Sequence, residues 1–268
     1  MRARVICSLV LLAMAAAPAA AQQATEPFVP RSGQAGKDVV WVPSPPEMVS
    51  KMLEIAKVTD KDFVMDLGSG DGRNIIAAAK LGARGVGVEY NPDMVALSQR
   101  LAKEAGVADK AQFVQGDMYE ADISKASVLA LFLLPVNLTK LHAKFLDLTP
   151  GSRIVANTFG IEGWEPDYRT SLPQGSECDS WCDILLWIVP AKVAGTWTLP
   201  NGQLVLSQNN QMVAGTLTIN GETTTISKGR LYGEELTFNA GENAFSGTVK
   251  GNRIEGKLGS TAITATKQ

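Results

Sequence analysis

The fold turns on one stretch, Val64-Met-Asp-Leu-Gly-Ser-Gly-Asp-Gly-Arg73. An apolar run, Phe63 to Met65, stops in alternating glycines, and a helical pattern with Ile75, Ile76 and Ala79 on one face resumes just past Gly72. Side chains this short cannot fill a core, so the stretch reads as a strand-to-helix turn that presents backbone N–H groups to a ligand and lets it approach closely.

On both sides of this turn, and as far as Pro190, strand-like and helical patterns alternate. Gly85-Val-Gly-Val88 leads to a helix opened by Asn91-Pro92, a capping residue followed by proline at the first helical position. Gln112–Gln115, Ser127–Leu134 and Arg153–Thr158 are further strands. Continuous apolar strands separated by helices predict an α/β fold, a doubly wound and mostly parallel sheet over residues 38–190. Past Pro190 the helical period vanishes. Turn signals at Asn201-Gly202, Gln208-Asn-Asn210, Asn220-Gly221, Tyr232-Gly233 and Gly251-Asn252 predict an antiparallel meander or small barrel over 191–268. A short echo runs through it: Ala-Gly-Thr-Trp-Thr at 194–198, Ala-Gly-Thr-Leu-Thr at 214–218, and Ser-Gly-Thr-Val at 246–249.

The first 21 residues differ from the rest. Arg2 and Arg4 precede an apolar run from Val5 to Ala17, and Ala19-x-Ala21 closes it, the layout of a secretory signal peptide cleaved after Ala21. The run is shorter than the ~20 residues a membrane span needs. An exported chain, periplasmic or secreted, is therefore expected, followed by a flexible leader over 22–37 rich in Gln, Ala, Pro and Gly. Losing both arginines makes a net charge of −2 more negative still, so composition offers no basic patch for a nucleic-acid partner. Cys178 and Cys182, the cysteines left after cleavage, are disulfide candidates in an oxidising compartment. A metal site is disfavoured, since His142 is the only histidine; His142 itself reads as a surface residue.

The loop spacing separates two nucleoside-binding devices. A dinucleotide fingerprint wants a small residue where this chain has Arg73. Asp66-x-Gly68-x-Gly70-x-Gly72 instead resembles motif I of the class I, seven-strand S-adenosylmethionine-dependent methyltransferases. An acid two places before the first glycine suits a ligand with a methionine ammonium and would repel a pyrophosphate. Glu89 closes the second strand twenty-one residues after Gly68 and is placed to accept ribose hydroxyls. The resemblance implies that Asp117 takes the adenine amino group and that Met118 stacks on the ring, with Gly68, Ser69 and Gly70 forming the loop. "VVWVPSPPEMVSKML" (39–53), "AAAKLGARGVGVEYNPDMV" and "TPGSRIVANTFGIEGWEPD" are similar to the lysine methyltransferases of ATP synthase c-subunit and of the mitochondrial nucleotide carrier. The resemblance covers about residues 38–168 and leaves the β domain outside.

It implies S-adenosylmethionine as cofactor and a protein lysine or small molecule as acceptor. Leu133-Leu-Pro-Val-Asn137 shares only its proline with the motif of enzymes that methylate exocyclic base nitrogens. The acceptor-site candidates are Trp164, Asn137 and Tyr90, with Glu165 and Asp167 beside them; no general base is evident. Two other readings are open: an exported binding protein that keeps the fold as a scaffold while the β domain contacts a partner, and a nicotinamide oxidoreductase, against which Arg73 argues.

Overall fold

A computed structural model describes residues 28–173, 175, 176, 178 and 180–268. The expected signal peptide and residues 22–27 of the expected leader lie outside them.

The glycine turn joins β1 (Phe63–Leu67) to α2 (Arg73–Lys80), and α1 (Pro46–Ile55) precedes both. There follow β2 (Arg84–Glu89), α3 (Pro92–Glu104), β3 (Ala111–Gln115), β4 (Val128–Leu131), α4 (Pro135–Phe145), β5 (Arg153–Asn157), β6 (Tyr168–Ser171) and β7 (Asp183–Ile188). They form a seven-stranded sheet in the order β3-β2-β1-β4-β5-β7-β6. β1 to β5 pair in parallel, while β7 runs antiparallel between β5 and β6. The expected doubly wound sheet is thus present, with an antiparallel edge.

Strand residues alternate between two cores because successive side chains leave a strand on opposite faces. Val64, Val128, Ala130, Val155 and Leu186 face α1, α2 and α3, through Met52, Ile75 and Val95 among others. Met65, Leu129, Leu131, Ile154 and Trp187 face Leu138, Leu141 and Phe145 of α4. Nearly every residue of the central strands is buried, as two covered faces require.

The second unit is a closed eight-stranded barrel: β8 (Gly195–Leu199), β9 (Gly202–Asn209), β10 (Met212–Ile219), β11 (Glu222–Tyr232), β12 (Glu235–Ala240), β13 (Asn243–Lys250), β14 (Arg253–Leu258) and β15 (Thr261–Lys267). Pairing of β15 with β8 closes it and removes the sheet edges. The sequence echo acquires a cause here. Trp197, Leu217 and Val249 occupy the same place in the three copies and all enter the barrel core. In the second and third copies the preceding glycine sits where a Cβ would strike a neighbour, at Gly215 the Val205 carbonyl and at Gly247 Phe245 and Gly256. Among the described residues, no helix is long and apolar enough to cross a membrane.

Candidate functional site

Gly68, Gly70 and Gly72 all have left-handed φ angles, of 78°, 55° and 81°, which only glycine adopts without strain. A Cβ on Gly72 would lie 2.5 Å from the Phe113 ring, so this glycine also lets α2 pack against β3. One expectation is corrected. The loop does not present its amides to a ligand: Gly68 and Ser69 donate to the Val88 carbonyl (2.8 and 3.1 Å), Gly72 donates to Ser69 O (2.8 Å), and Gly70 donates to Glu89 Oε2 (2.9 Å). A phosphate loop needs free donors. This loop spends four of them internally and offers close backbone approach beside carboxylates, an arrangement for a nucleoside with a cationic tail.

Asp66 lies inside β1, 3% exposed, and accepts a 3.0 Å hydrogen bond from Asn74 Nδ2 of α2. Burial pushes its carboxyl up to about 8, with Glu89 and Asp71 adding to the rise and Asn74 opposing it. A cation placed beside it would draw out the proton. Glu89 is pinned at the end of β2 by two backbone donors, Gly70 N and Asn91 N, both at 2.9 Å, one to each oxygen. Each carboxylate oxygen keeps a further acceptor site for a hydroxyl. Asp117 follows β3; Tyr119 N donates to its Oδ1 at 2.9 Å, and Lys37 Nζ stands 2.8 Å from its Oδ2. That lysine holds the Asp117 carboxyl below the usual carboxylate range. Met118 is buried beside Val88. Ser69 turns its hydroxyl inward against Gly87, so its side chain belongs to the packing of the turn.

The strap that crosses this edge includes Trp41, in the 39–53 stretch that resembles related methyltransferases, and begins in residues read as leader. Trp41 pairs with Gln34 in an isolated bridge, and a Cβ on Gly70 would lie 2.5 Å from its indole nitrogen. Lys37 bridges Asp117 and Asp38 and sits over the Tyr90 and Tyr119 rings at 5.3 and 5.8 Å. These residues belong to the stretch read as a leader and its continuation, and nothing periodic in them marks a site. One pocket is lined by the strap, by Asp66, Gly68, Gly70 and Glu89, and by Asp117 and Met118.

Of the acceptor candidates, Tyr90 is half exposed and lines this pocket. Trp164 and Asn137 do not. Trp164 is 2% exposed, stacks on His142 with ring centroids 5.2 Å apart, and accepts through its carbonyl from Trp187 Nε1. The chain turns at Ile161–Trp164 and carries the indole to the α4 side of the sheet, into the core it was expected to avoid. Asn137 is buried and donates to the Tyr119 hydroxyl at 2.8 Å, because α4 points it back under the strand ends. Glu165 and Asp167 face the barrel: Gln211 Nε2 donates to Glu165 O at 2.7 Å, and Arg230 pairs with Asp167 at 2.6 Å. His142 is not a free surface residue either, being half-buried between Trp164 and Asn210, whose Oδ1 lies 2.8 Å from Nε2. Phe132, Phe159 and Trp181 line the pocket's other end.

The family model of the ANTKMT methyltransferase domain matches residues 66–168. A protein-lysine N-methyltransferase of Saccharolobus islandicus is 43% identical over 142 residues, covering 52% of this chain and 88% of that protein. The lysine N-methyltransferase of the ATP synthase c-subunit in Mus musculus is 35% identical over 131 residues, 48% of this chain, but only 53% of its own length is spanned. A solved RNA methyltransferase from Salinibacter ruber, in complex with S-adenosyl-L-homocysteine, is 45% identical with a TM-score of 0.52, over 57% of this chain and 96% of that one. The chain belongs to the class I S-adenosylmethionine-dependent methyltransferases, and S-adenosylmethionine is its cofactor. The family-model match ends before the barrel begins.

Proposed function

We propose that this protein transfers a methyl group to an amine, a protein lysine, with Asp66 receiving the methionine ammonium, Glu89 the ribose hydroxyls and Asp117 the adenine amino group. The carrying observation is that these three acids, from consecutive parallel strands, line one pocket beside a turn whose three glycine amides are all spent internally. When bound, S-adenosylmethionine supplies a sulfonium-activated methyl group open to in-line displacement. The protein's part is positioning and exclusion of water. Glu89 and the Gly70 backbone hold one end, Trp41 covers the turn, and Leu133, Leu134 and Phe132 give the opposite wall an apolar surface. An acceptor amine must react as the free base, which a water-poor wall favours by penalising its charged form.

The lysine reading draws on the names of the archaeal and mouse relatives. The RNA named for the Salinibacter protein finds less support here: the pocket-lining cations, Lys37 and Arg73, are each paired with a carboxylate, and the chain is net acidic. The scaffold reading draws no support from the comparisons. We also propose export, on the strength of Arg2 to Ala21 and of the Cys178–Cys182 disulfide, a bond suited to an oxidising compartment.

Calorimetry on residues 22–268 tests the cofactor assignment. Glu89→Ala is expected to weaken S-adenosylhomocysteine binding by about one to two orders of magnitude, and unchanged affinity would refute its role. Mass spectrometry of envelope proteins with and without the gene should show methyl-sized increments on lysine; increments on RNA alone would reverse the acceptor assignment.

A further inference from the structure

The carboxyl edge of the sheet divides at the point where strand order reverses, between β1 and β4. The half built from β1, β2 and β3 ends in carboxylates. The half built from β4, β5 and the antiparallel β7 ends in aromatic rings. Phe132 follows β4, Phe159 follows β5, and Trp181 precedes β7, so all three reach the same edge and line the same pocket. Phe132 stacks on Phe159 with centroids 6.1 Å apart and an interplanar angle of 12°, and Trp181 tilts against Phe132 at 6.1 Å and 59°.

Two features show that this wall is held in place rather than incidental. Thr158 and Trp181 both have left-handed φ angles, 61° and 62°, a conformation costly for a β-branched and for a bulky residue. The amide of Thr158 donates to the Asp183 carbonyl at 2.7 Å, tying the Phe159 turn to the start of β7. The disulfide between Cys178 and Cys182 flanks Trp181, and both cysteines pack on the core beneath α1 to α3. Trp181, 47% exposed, therefore lines the pocket from a short stretch whose flanking cysteines are bridged.

We propose that Trp181, held by the Cys178–Cys182 bridge, is an acceptor-positioning residue that with Phe132 and Phe159 receives the methylene chain of a linear alkylamine, the side chain of lysine. The inference rests on the amine-methyltransferase reading and adds the residues that take the acceptor. Aromatic faces suit this ligand on two counts. They bury methylenes, and they attract an ammonium before it gives up its proton. The carboxylates lie at the other end of the edge, where they would hold the cofactor's cationic group instead.

The test uses the full mature chain loaded with S-adenosylhomocysteine and titrated with n-propylamine, n-butylamine and n-pentylamine, binding being read from the two-dimensional amide NMR spectrum. Wild type should bind more tightly by about twofold to fourfold per added methylene. Trp181→Ala should flatten that gradient while leaving S-adenosylhomocysteine affinity unchanged, and Trp181→Phe should restore most of it. The double variant Cys178→Ser with Cys182→Ser should flatten it in part, giving a second reading that keeps the indole. A gradient equally steep in Trp181→Ala, or absent from wild type, overturns the proposal. Failure of wild type to bind S-adenosylhomocysteine would instead refute the earlier reading, so the two failures are distinct.

Discussion

At the scale of single residues, Asp66 is the group whose chemistry most depends on its surroundings. A free aspartate loses its proton near pH ~4, whereas buried Asp66 keeps its own up to about 8. Between those values the native state binds the extra proton, so the contribution of this group to stability is fully present below about pH 4 and is lost as pH rises toward 8. Asp66→Asn removes the titration. Its melting temperature should exceed that of wild type by a margin that widens from pH 6 to pH 9; a constant margin would count against the shift. Binding of a methionine ammonium requires the carboxylate, so association at pH 7 should release a proton. Titration calorimetry in two buffers of different ionisation enthalpy should reveal that release, and affinity should fall below pH 8 by up to about tenfold per unit. The need for an acid at this position was legible in the spacing to Gly68. Its raised proton affinity was not, because it comes from burial among neighbouring strands, with the nearby Glu89 and Asp71 carboxylates adding to it.

At the scale of elements, local chemistry was largely readable. Asn91-Pro92 does open a helix, with the Asn91 side chain accepting from Asp93 N at 2.9 Å. The expected strand over 127–134 is shorter in fact, Val128–Leu131, because Phe132 to Leu134 leave the sheet to line the pocket. The turn and the strap meet at a contact no pattern announces. Gly70→Ala should cost about 2 kcal/mol, from positive φ and from collision with Trp41. In a double-mutant cycle with Trp41→Ala the collision should cancel and the backbone strain remain, leaving a coupling of about 1 kcal/mol in denaturant melts. Strict additivity would mean that the strap does not rest on the turn.

At the scale of the whole molecule, the segment Gly163-Trp-Glu-Pro-Asp167 is the platform on which the barrel docks. Asn210 Nδ2 donates to Gly163 O at 2.7 Å, and Gly233 O accepts from Ala191 N at 2.8 Å. Asp167, its side chain 2% exposed, accepts from Ile188 N at 2.8 Å and is paired with Arg230. Arg230→Ala would strand a buried carboxylate at the junction and should cost about 2 kcal/mol. Denaturation followed through tryptophan emission should then separate the sheet from the barrel; an unchanged single transition would argue that the junction is held elsewhere. The same segment illustrates why Trp164 was misplaced by sequence reading. An aromatic among Gly, Glu, Pro and Asp looks solvent-facing when its partners, His142, Trp187 and a barrel turn, are far away in the chain.

What the chain determined by itself was local and periodic: strand and helix spacing, the left-handed glycines after β1, the acids that follow successive strands, and the cysteine pair. These are set within a few residues, by backbone sterics and by alternation of apolar side chains. The tertiary structure alone decided which side chains converge. It spent the turn's amides internally, laid Trp41 and Lys37 over the edge, moved Trp164 and Asn137 into packing, and brought Phe132, Phe159 and Trp181 together. Convergence depends on burial and long-range contact, and neither leaves a period in the sequence to be read.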